Sequence, residues 1–575
     1  TQSSAASCLQ CYSGNLQNHV AQLWSGSPSE PPQDFIFCLA AGAVTRLIAP
    51  LLQDKATDPA VVVVDPMGHY AISLCSGHQG GADVLARRVA QQLDAAPVIT
   101  GAAEAANLPG IDVLGRPFGW RRGAGDWTAV SAAIARRAPV AVTQTTGSTL
   151  WQTVLPQGHP FQFEAGVESE AQIHITATAP AQTHPTPTVY WHPRMLWLGI
   201  GCERGTAAAV IAAGVAQALG QQGLSPLAVA GVASLDLKAD EPGLLDLCRD
   251  RQWSLRCFDA QTLAQIPVPH PSETVAQAVG TPSVAEAAAL KAAATSDLLV
   301  SKQVVRLPDE PGAVTVAVAA AAQETTGRAG QLWLVGTGPG ALGQITPAAR
   351  EAIATADVVI GYSLYVDLVR PLLRPGQIVE ALPITQERQR AERAIALARW
   401  GLTVAVISSG DCGIYGMAGL VMETLEQQGW EGQQPSVQVF PGISALQAAA
   451  ARTGAPLMHD FCAISLSDLL TPWETIEARL KAAAQADFVT ALYNPKSKTR
   501  TRPIAIAQEI FLQHRAPETP VALVRSAYRE DEQIQLTTLA QFLDYPVDMV
   551  TTVIIGNRCT HRLGDWLITP RGYLT

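Results

Sequence analysis

Leu332-Trp333-Leu334-Val335 runs straight into Gly336-Thr337-Gly338-Pro339-Gly340, and Thr346-Pro347-Ala348 follows a few residues on. The apolar run predicts a strand, and the glycines predict a turn where the backbone can take positive φ or approach another chain closely. Thr346 suits a helix N-cap and Pro347 the first helical position, so strand, loop and helix are expected in that order. A dinucleotide fingerprint requires glycine three places after Gly338, and Ala341 stands there instead.

Two further strand ends repeat the pattern. Thr403–Ser408 is expected to end in Ser409-Gly410-Asp411-Cys412-Gly413-Ile414-Tyr415-Gly416, and Val437–Phe440 in Pro441-Gly442-Ile443-Ser444-Ala445. In an open α/β sheet, ligands bind beyond the carboxyl ends of the strands, so three small-residue loops in succession predict a site for a flat polar ligand.

Outside this region the chain alternates strand-like runs with alanine-rich helical stretches. Phe35–Ala40, Val61–Val64, Val98–Thr100, Val140–Thr143, Leu196–Ile200, Leu227–Gly231, Leu298–Val300 and Val314–Ala322 all read as strands, the last one buried. That alternation predicts α/β layers with largely parallel sheets. A length of 575 residues implies several domains. The polar stretch Ala177–Pro193 carries four prolines and reads as a linker, not a central strand. A second break falls at Ala321–Gly330, and the last unit halves near Gly454–Pro456, with a new series starting at Phe461–Ile464. The expected division is 1–104, 105–192, 193–320, a linker at 321–330, then lobes at 331–455 and 456–575.

A net charge of −10 offers no electrostatic footprint for nucleic acid. No apolar run reaches the length of a membrane helix, so a soluble cytoplasmic protein is expected. The sequence has no initiator Met and no signal pattern, only a polar stretch from Thr1 to Gln33 before the first strand at Phe35. Cys8-Leu9-Gln10-Cys11 has no second pair at zinc or cluster spacing, so no metal site is expected.

Taken in order, G-T-G-P-G, S-G-D-C-G-I-Y-G, P-G-I-S-A and Leu492-Tyr493-Asn494-Pro495 resemble the ordered motifs of the tetrapyrrole methylase family over about 240 residues. The wording S-S-G-D-x-G-I-Y-G-M-A and L-Y-N-P-x-S is most similar to its precorrin-3B C(17)-methyltransferase branch, which contracts the ring. Ala341 and Cys412 depart from the Asp and Pro that many relatives carry there. The resemblance implies a two-lobed class III methyltransferase fold, S-adenosyl-L-methionine as methyl donor, a precorrin-3B or cobalt-precorrin substrate methylated at carbon 17, and a homodimer formed through the methylase region. It implies cofactor contacts at Gly338, Pro339, Gly410, Asp411, Ile414, Ser444, Ala445, Tyr493 and Ala522, with core packing as the competing role of Ile414 and Ala522. Asp411 or Tyr415 is a candidate to assist the proton movement of contraction. Lys496, Lys498, Arg500 and Arg502 form a basic loop suited to the carboxylates of the substrate.

In the first half, S-G-H-Q-G-G-A, G-I-G-C-E-R-G, A-S-L-D-L-K-A-D-E-P-G and G-T-P-S-V-A-E-A-A-A-L resemble the cobalamin-pathway hydrolase that opens a ring-contracted lactone and releases acetaldehyde. The resemblance spans about residues 35–320, weakest between 105 and 190, and that family's first strand is missing before Phe35, which predicts an unpaired sheet edge. His78 is the expected base for activating water and Lys238 the cation for the developing oxyanion, with Glu203 and Asp236 as further candidates. Asp83 is expected to cap the helix through Leu93, and Ser283 with Glu286 to form a capping box. Two alternatives stand beside this bifunctional reading: a methylase for another ring carbon or for a substrate that is not a tetrapyrrole, and a first half that binds corrinoid without catalysing.

Overall fold

The computed structural model describes residues 12–25, 33–54, 57–101, 103, 106–164, 166–180 and 185–573. Cys8 and Cys11 lie outside them. Two compact units emerge, one built mainly from residues 1–328 and the other mainly from residues 329–575.

The first unit contains three sheets. In chain order, β1 (Phe35–Cys38), β2 (Val61–Val64), β3 (Tyr70–Cys75) and β4 (Ala96–Val98) form the first, in which β2 and β3 run antiparallel. β1 is the end strand of this described sheet. The helix Leu16–Ser25, inside the stretch read as merely polar, packs Leu16, Val20 and Trp24 beside Phe35 and Phe37.

The second sheet holds β5 (Arg121–Gly125), β6 (Val140–Gln144), β7 (Phe161–Gln162), β8 (Ala171–Ile175) and β9 (Thr188–His192) in the order β5-β9-β8-β6-β7. β9 falls within the segment read as a linker and is buried along its whole length. Pro185, Pro187 and Pro193 flank it without entering it, so every ladder donor is kept, and Val189, Tyr190 and Trp191 supply β propensity.

The third sheet contains β10 (Leu196–Cys202), β11 (Val229–Leu235), β12 (Ser254–Phe258), β13 (Leu298–Val305) and β14 (Val314–Ala320), ordered β12-β11-β10-β14-β13. β10, β11 and β12 are parallel, whereas β14 is antiparallel to both its neighbours. Two expected helix caps are not formed. The helix Ala82–Leu93 starts after Gly81 at φ 88°, leaving Asp83 buried in its first turn. Ser283 precedes the helix Val284–Ala293 without a capping bond, and Glu286 is fully buried, where it accepts from the His270 and Lys302 amides and from His270 Nδ1, at 2.9–3.1 Å. That carboxylate satisfies backbone donors of two passing segments.

In the second unit, β15 (Gln331–Gly336), β16 (Val358–Tyr362), β17 (Ile378–Leu382), β18 (Thr403–Ser408) and β19 (Ser436–Phe440) make one sheet, ordered β17-β16-β18-β15-β19. β15 runs parallel to both neighbours, which sets three consecutive carboxyl ends side by side. Thr346 caps the helix Pro347–Thr355 through the Ala349 amide, with Pro347 at its start.

A small sheet of β20 (Gly454–Ala455), β26 (His561–Leu563) and β27 (Trp566–Ile568) accompanies the second lobe. The main sheet there is β21 (Phe461–Ser465), β22 (Val489–Tyr493), β23 (Pro520–Arg525), β24 (Gln533–Thr538) and β25 (Thr551–Ile555), ordered β21-β22-β25-β23-β24. Within this main sheet only β21 and β22 pair in parallel, so it is mainly antiparallel, unlike the expectation. No described helix is long and apolar enough to cross a membrane.

Candidate functional site

The three loops beyond β15, β18 and β19 are locked backbone to backbone. Gly338 and Gly410 exchange both main-chain hydrogen bonds, at 3.0 and 2.7 Å, and Thr337 donates its amide to Ser408 O at 2.8 Å. A Cβ on Gly336 would lie 2.6 Å from Gly442 N, and one on Gly442 would lie 2.1 Å from Gly410 O. Glycine is required at these points for close approach rather than for an unusual dihedral. The Gly338 peptide is thus spent on the neighbouring loop.

Asp411 fastens the same assembly, one carboxylate oxygen accepting from Gly413 N at 2.8 Å and the other from Gly442 N at 3.0 Å. Ser444 caps the helix Ala445–Thr453 in a complete capping box with Gln447. Cys412 is buried and its thiol points at Leu334 O and Phe440 O, which ties it to β15 and β19; burial pushes its pKa up to about 11.

The second lobe closes on this cradle through tyrosines. Tyr493, at the end of β22, accepts the Leu446 amide on its hydroxyl at 2.8 Å. Tyr415 donates to Ala463 O of β21 at 3.1 Å, and the two rings sit 5.0 Å apart. Burial raises both phenol pKa values, so each is a hydroxyl donor or acceptor at neutral pH and not a base. Ile414 is 43% exposed, whereas the side chain of Ala522 is fully enclosed in β23.

Within the basic loop, Lys498 and Arg502 are exposed and Lys496 is half-buried. Arg500 differs: its guanidinium donates to the Leu466 and Asn494 carbonyls and fixes the loop instead of facing outward. Burial lowers its pKa, opposed by the charge of Asp468.

In the first unit, His78 sits between two carboxylates. Its Nδ1 lies 3.2 Å from Asp112 Oδ1 and its Nε2 3.7 Å from Asp83 Oδ2, while Ser73 donates to the other oxygen of Asp83 at 2.6 Å. Gly110 admits the ring, since a Cβ there would meet His78 Nδ1 at 2.9 Å. Lys238 occupies a different sheet, at the end of β11. Its ammonium meets fully buried Glu241 at 3.0 Å, and Glu241 also takes the Gly205 amide at 2.8 Å and Arg204 at 3.4 Å. Burial alone would raise the Glu241 pKa; the bonds from Lys238, Gly205 and Arg204 hold it below the usual carboxylate range. Glu203 pairs with Arg306 at 2.6 Å, and Asp236 accepts the Leu237 amide at 2.7 Å. His78 and Lys238 therefore belong to two separate clusters.

Comparison with known proteins gives four matches along the chain. Residues 331–543 match the model of tetrapyrrole (corrin/porphyrin) methylases. Residues 19–104, 109–193 and 196–319 match the cobalamin synthesis G N-terminal, the cobalamin biosynthesis central region and the cobalamin synthesis G C-terminus. The probable cobalt-factor III C(17)-methyltransferase of Salmonella typhimurium is 46% identical over 242 residues, which is 42% of this chain and 99% of that protein. The chain belongs to the tetrapyrrole methylase family.

Within that family, the cobalt-factor III methyltransferase of Priestia megaterium is 53% identical over 245 residues, 42% of this chain and 45% of that protein. The precorrin-3B C(17)-methyltransferase of a Sinorhizobium species is 43% identical over 249 residues, 42% of this chain and 97% of that protein. The chain thus spans under half of the Priestia protein and nearly all of the other two. Its first half carries the three cobalamin synthesis G regions.

Three residues of these sites are not evident from the sequence: Asp112, Glu241 and Arg529, whose guanidinium donates to Pro339 O in the first glycine loop at 2.9 Å. Glu241 stands in the quoted A-S-L-D-L-K-A-D-E-P-G run, three residues after Lys238, a spacing that was a usable signal. Asp112 and Arg529 reach their partners over long sequence separations, which no local pattern announces.

Proposed function

We propose that the chain is a bifunctional enzyme of corrin-ring assembly: a methyltransferase acting at carbon 17 of precorrin-3B or its cobalt form, with ring contraction, joined to a lactone-opening, acetaldehyde-releasing hydrolase. The observation that carries the methylase half is the interlock of the Gly336, Gly410 and Gly442 loops, closed by the Tyr493 hydroxyl on the Leu446 amide. S-adenosyl-L-methionine fits this cradle by its chemistry: a flat, polar nucleoside suits close-packed backbone beyond parallel strands, with the exposed Ile414 as an apolar wall. When bound, it supplies an electrophilic methyl group.

The chain's own residues then have positioning to do. Holding the ring carbon in line with the methyl group is worth roughly 7–11 kcal/mol in favourable cases, so a rigid cradle is the main catalytic device. Asp411, with both oxygens on backbone amides, keeps the second and third loops in register. Tyr415, protonated and about half-exposed, can donate to an oxygen of the substrate once it leaves Ala463 O. Lys496, Lys498 and Arg502 offer charge to the substrate's carboxylates.

In the hydrolase half, Asp112 fixes the His78 ring so that its other nitrogen takes a proton from water attacking the lactone carbonyl. Lys238, held in place by Glu241 in the separate cluster, supplies a cation for a carboxylate of the substrate. In this reading residues 1–104, 105–192 and 193–320 make the hydrolase portion and 331–455 and 456–575 the two methylase lobes, which associate as a homodimer. Incubation with isotopically labelled methyl donor and a panel of precorrins and cobalt-precorrins, with NMR location of the methyl group, tests the reading. Label at carbon 17 supports it, and label at another carbon, or none, overturns it.

A further inference from the structure

Arg529 lies in the tight turn after β23, and its guanidinium reaches the first lobe of the same unit. Nε donates to Pro339 O at 2.9 Å and Nη2 to Ser409 Oγ at 3.3 Å. Gly340 makes room for it, because a Cβ there would lie 2.7 Å from Arg529 Nε. Arg529 thus touches both the first and the second glycine loop.

Among the described residues its charge has no counterion within ion-pair distance. Of the carboxylates that follow it in the turn, Asp531 pairs with Arg525 at 2.7 Å and Glu532 with Arg452 at 2.6 Å, the adjacent Glu530 is exposed, and among the described residues none forms an ion pair with Arg529. Arg390, on the helix Glu387–Trp400, is a second cation without an ion pair among the described residues, although the charge of Glu387 at the start of the same helix acts on it. It is buried, its Nη2 donates to Pro383 O at 2.9 Å, its Nη1 faces Met417 Sδ at 3.4 Å, and its Nε has no partner. Both guanidinium groups act electrostatically on the Tyr365 hydroxyl. An acidic chain has therefore placed two weakly compensated cations around the Ser409–Met417 loop. A half-buried unpaired cation carries a desolvation cost that a bound anion would offset.

We propose that Arg529 is a carboxylate receptor at the cofactor loops, with Arg390 reinforcing the local positive potential. With Nε and one proton of Nη2 engaged, the two protons of Nη1 and the second of Nη2 remain, which is the edge that takes a carboxylate in forked geometry. The inference rests on the methyltransferase reading above, which offers two sources of that chemistry: an acetate or propionate arm of the tetrapyrrole, or the α-carboxylate of the methionine moiety of the methyl donor.

The test uses the full chain as wild type, Arg529→Lys and Arg529→Gln. Calorimetry gives the Kd for S-adenosylhomocysteine, and steady-state methylation of cobalt-factor III gives KM and kcat. For a tetrapyrrole carboxylate, Arg529→Gln raises the tetrapyrrole KM at least tenfold with the S-adenosylhomocysteine Kd unchanged, and lysine restores part of the loss. For the methionine carboxylate, the Kd rises at least tenfold instead, again with partial rescue by lysine. If both constants stay within twofold of wild type, or lysine and glutamine are equally damaging, Arg529 only stitches the loops and the proposal is overturned. A wild-type chain that binds no S-adenosylhomocysteine would instead defeat the underlying methyltransferase reading.

Discussion

Gly442→Ala tests the interlocked loops most directly. The new Cβ would lie 2.1 Å from Gly410 O and 2.7 Å from Gly336 C, against an ordinary contact of 3.4 Å or more. Both obstacles are backbone, so no rotamer change relieves them, and one loop has to move away from the other two. Overpacking of this kind costs about 1–3 kcal/mol, and rigid neighbours place it near the upper end. At about 1.4 kcal/mol per tenfold change, displacement of the cradle weakens S-adenosylhomocysteine by on the order of a hundredfold. Gly419→Ala is the control: nothing lies within 4 Å of a Cβ there, and the residue sits inside the helix Met417–Gln427, so a gain of about 0.5–1 kcal/mol in stability is expected with affinity retained. Calorimetric titration of both variants decides the matter. A Gly442→Ala protein that binds within threefold of wild type would refute the claim that the loops are packed without slack.

Four further outcomes are expected. His78→Gln lowers acetaldehyde release from cobalt-precorrin-5A by roughly 10²–10⁴, and Asp112→Asn lowers it less, with methylation at carbon 17 intact in both; unchanged release by His78→Gln would remove it from the mechanism. Glu241→Gln leaves Lys238, whose side chain is only 15% exposed, without its main counterion, and should cost about 3 kcal/mol, read as a lower melting temperature with normal S-adenosylhomocysteine binding. Iodoacetamide near neutral pH should label exposed Cys38 and Cys559 well before Cys202, Cys248 and Cys412, whose pKa values burial pushes up to about 11; early modification of Cys412, read by mass spectrometry, contradicts its placement. Because Tyr493 is raised above its ordinary 10.0, the protonated phenol favours the folded state, so its contribution is complete below that pH and is lost as pH climbs past it. Thermal melts should therefore fall on the alkaline side, and Tyr493→Phe should shallow that decline.

The glycine loops were legible because each follows a strand and needs backbone approach, a demand only one residue type meets, and the order of the motifs carried the rest. The N-cap at Thr346 was readable for a similar reason, being a local bond. Failures came where a residue's partner was distant or the local pattern had competitors. β9 was hidden by prolines that only flank it, since composition over a window cannot tell a bounded strand from a linker. Ser283 and Glu286 have capping-box spacing, yet the carboxylate gains more from two otherwise unsatisfied amides of other segments. Asp83 looked like a cap until Gly81 took that position, which freed the carboxylate to approach His78. Arg500 reads in sequence as one of four cations for the substrate's carboxylates, but the carbonyls of Leu466 and Asn494 claim it.

The mutual contact of Gly336, Gly410 and Gly442 also bears on how the methylase lobe is assembled. These residues are distant in the chain and meet only when β15 has both β18 and β19 beside it. Such long-range closure comes late in folding, after its entropy has been met. A partly built sheet has no cradle, so a nucleoside bound there as proposed would recognise only finished molecules and, by binding them, draw the maturation equilibrium forward. Supply of the methyl donor would then govern how much of the newly made polypeptide reaches its mature form, as well as how fast it turns over.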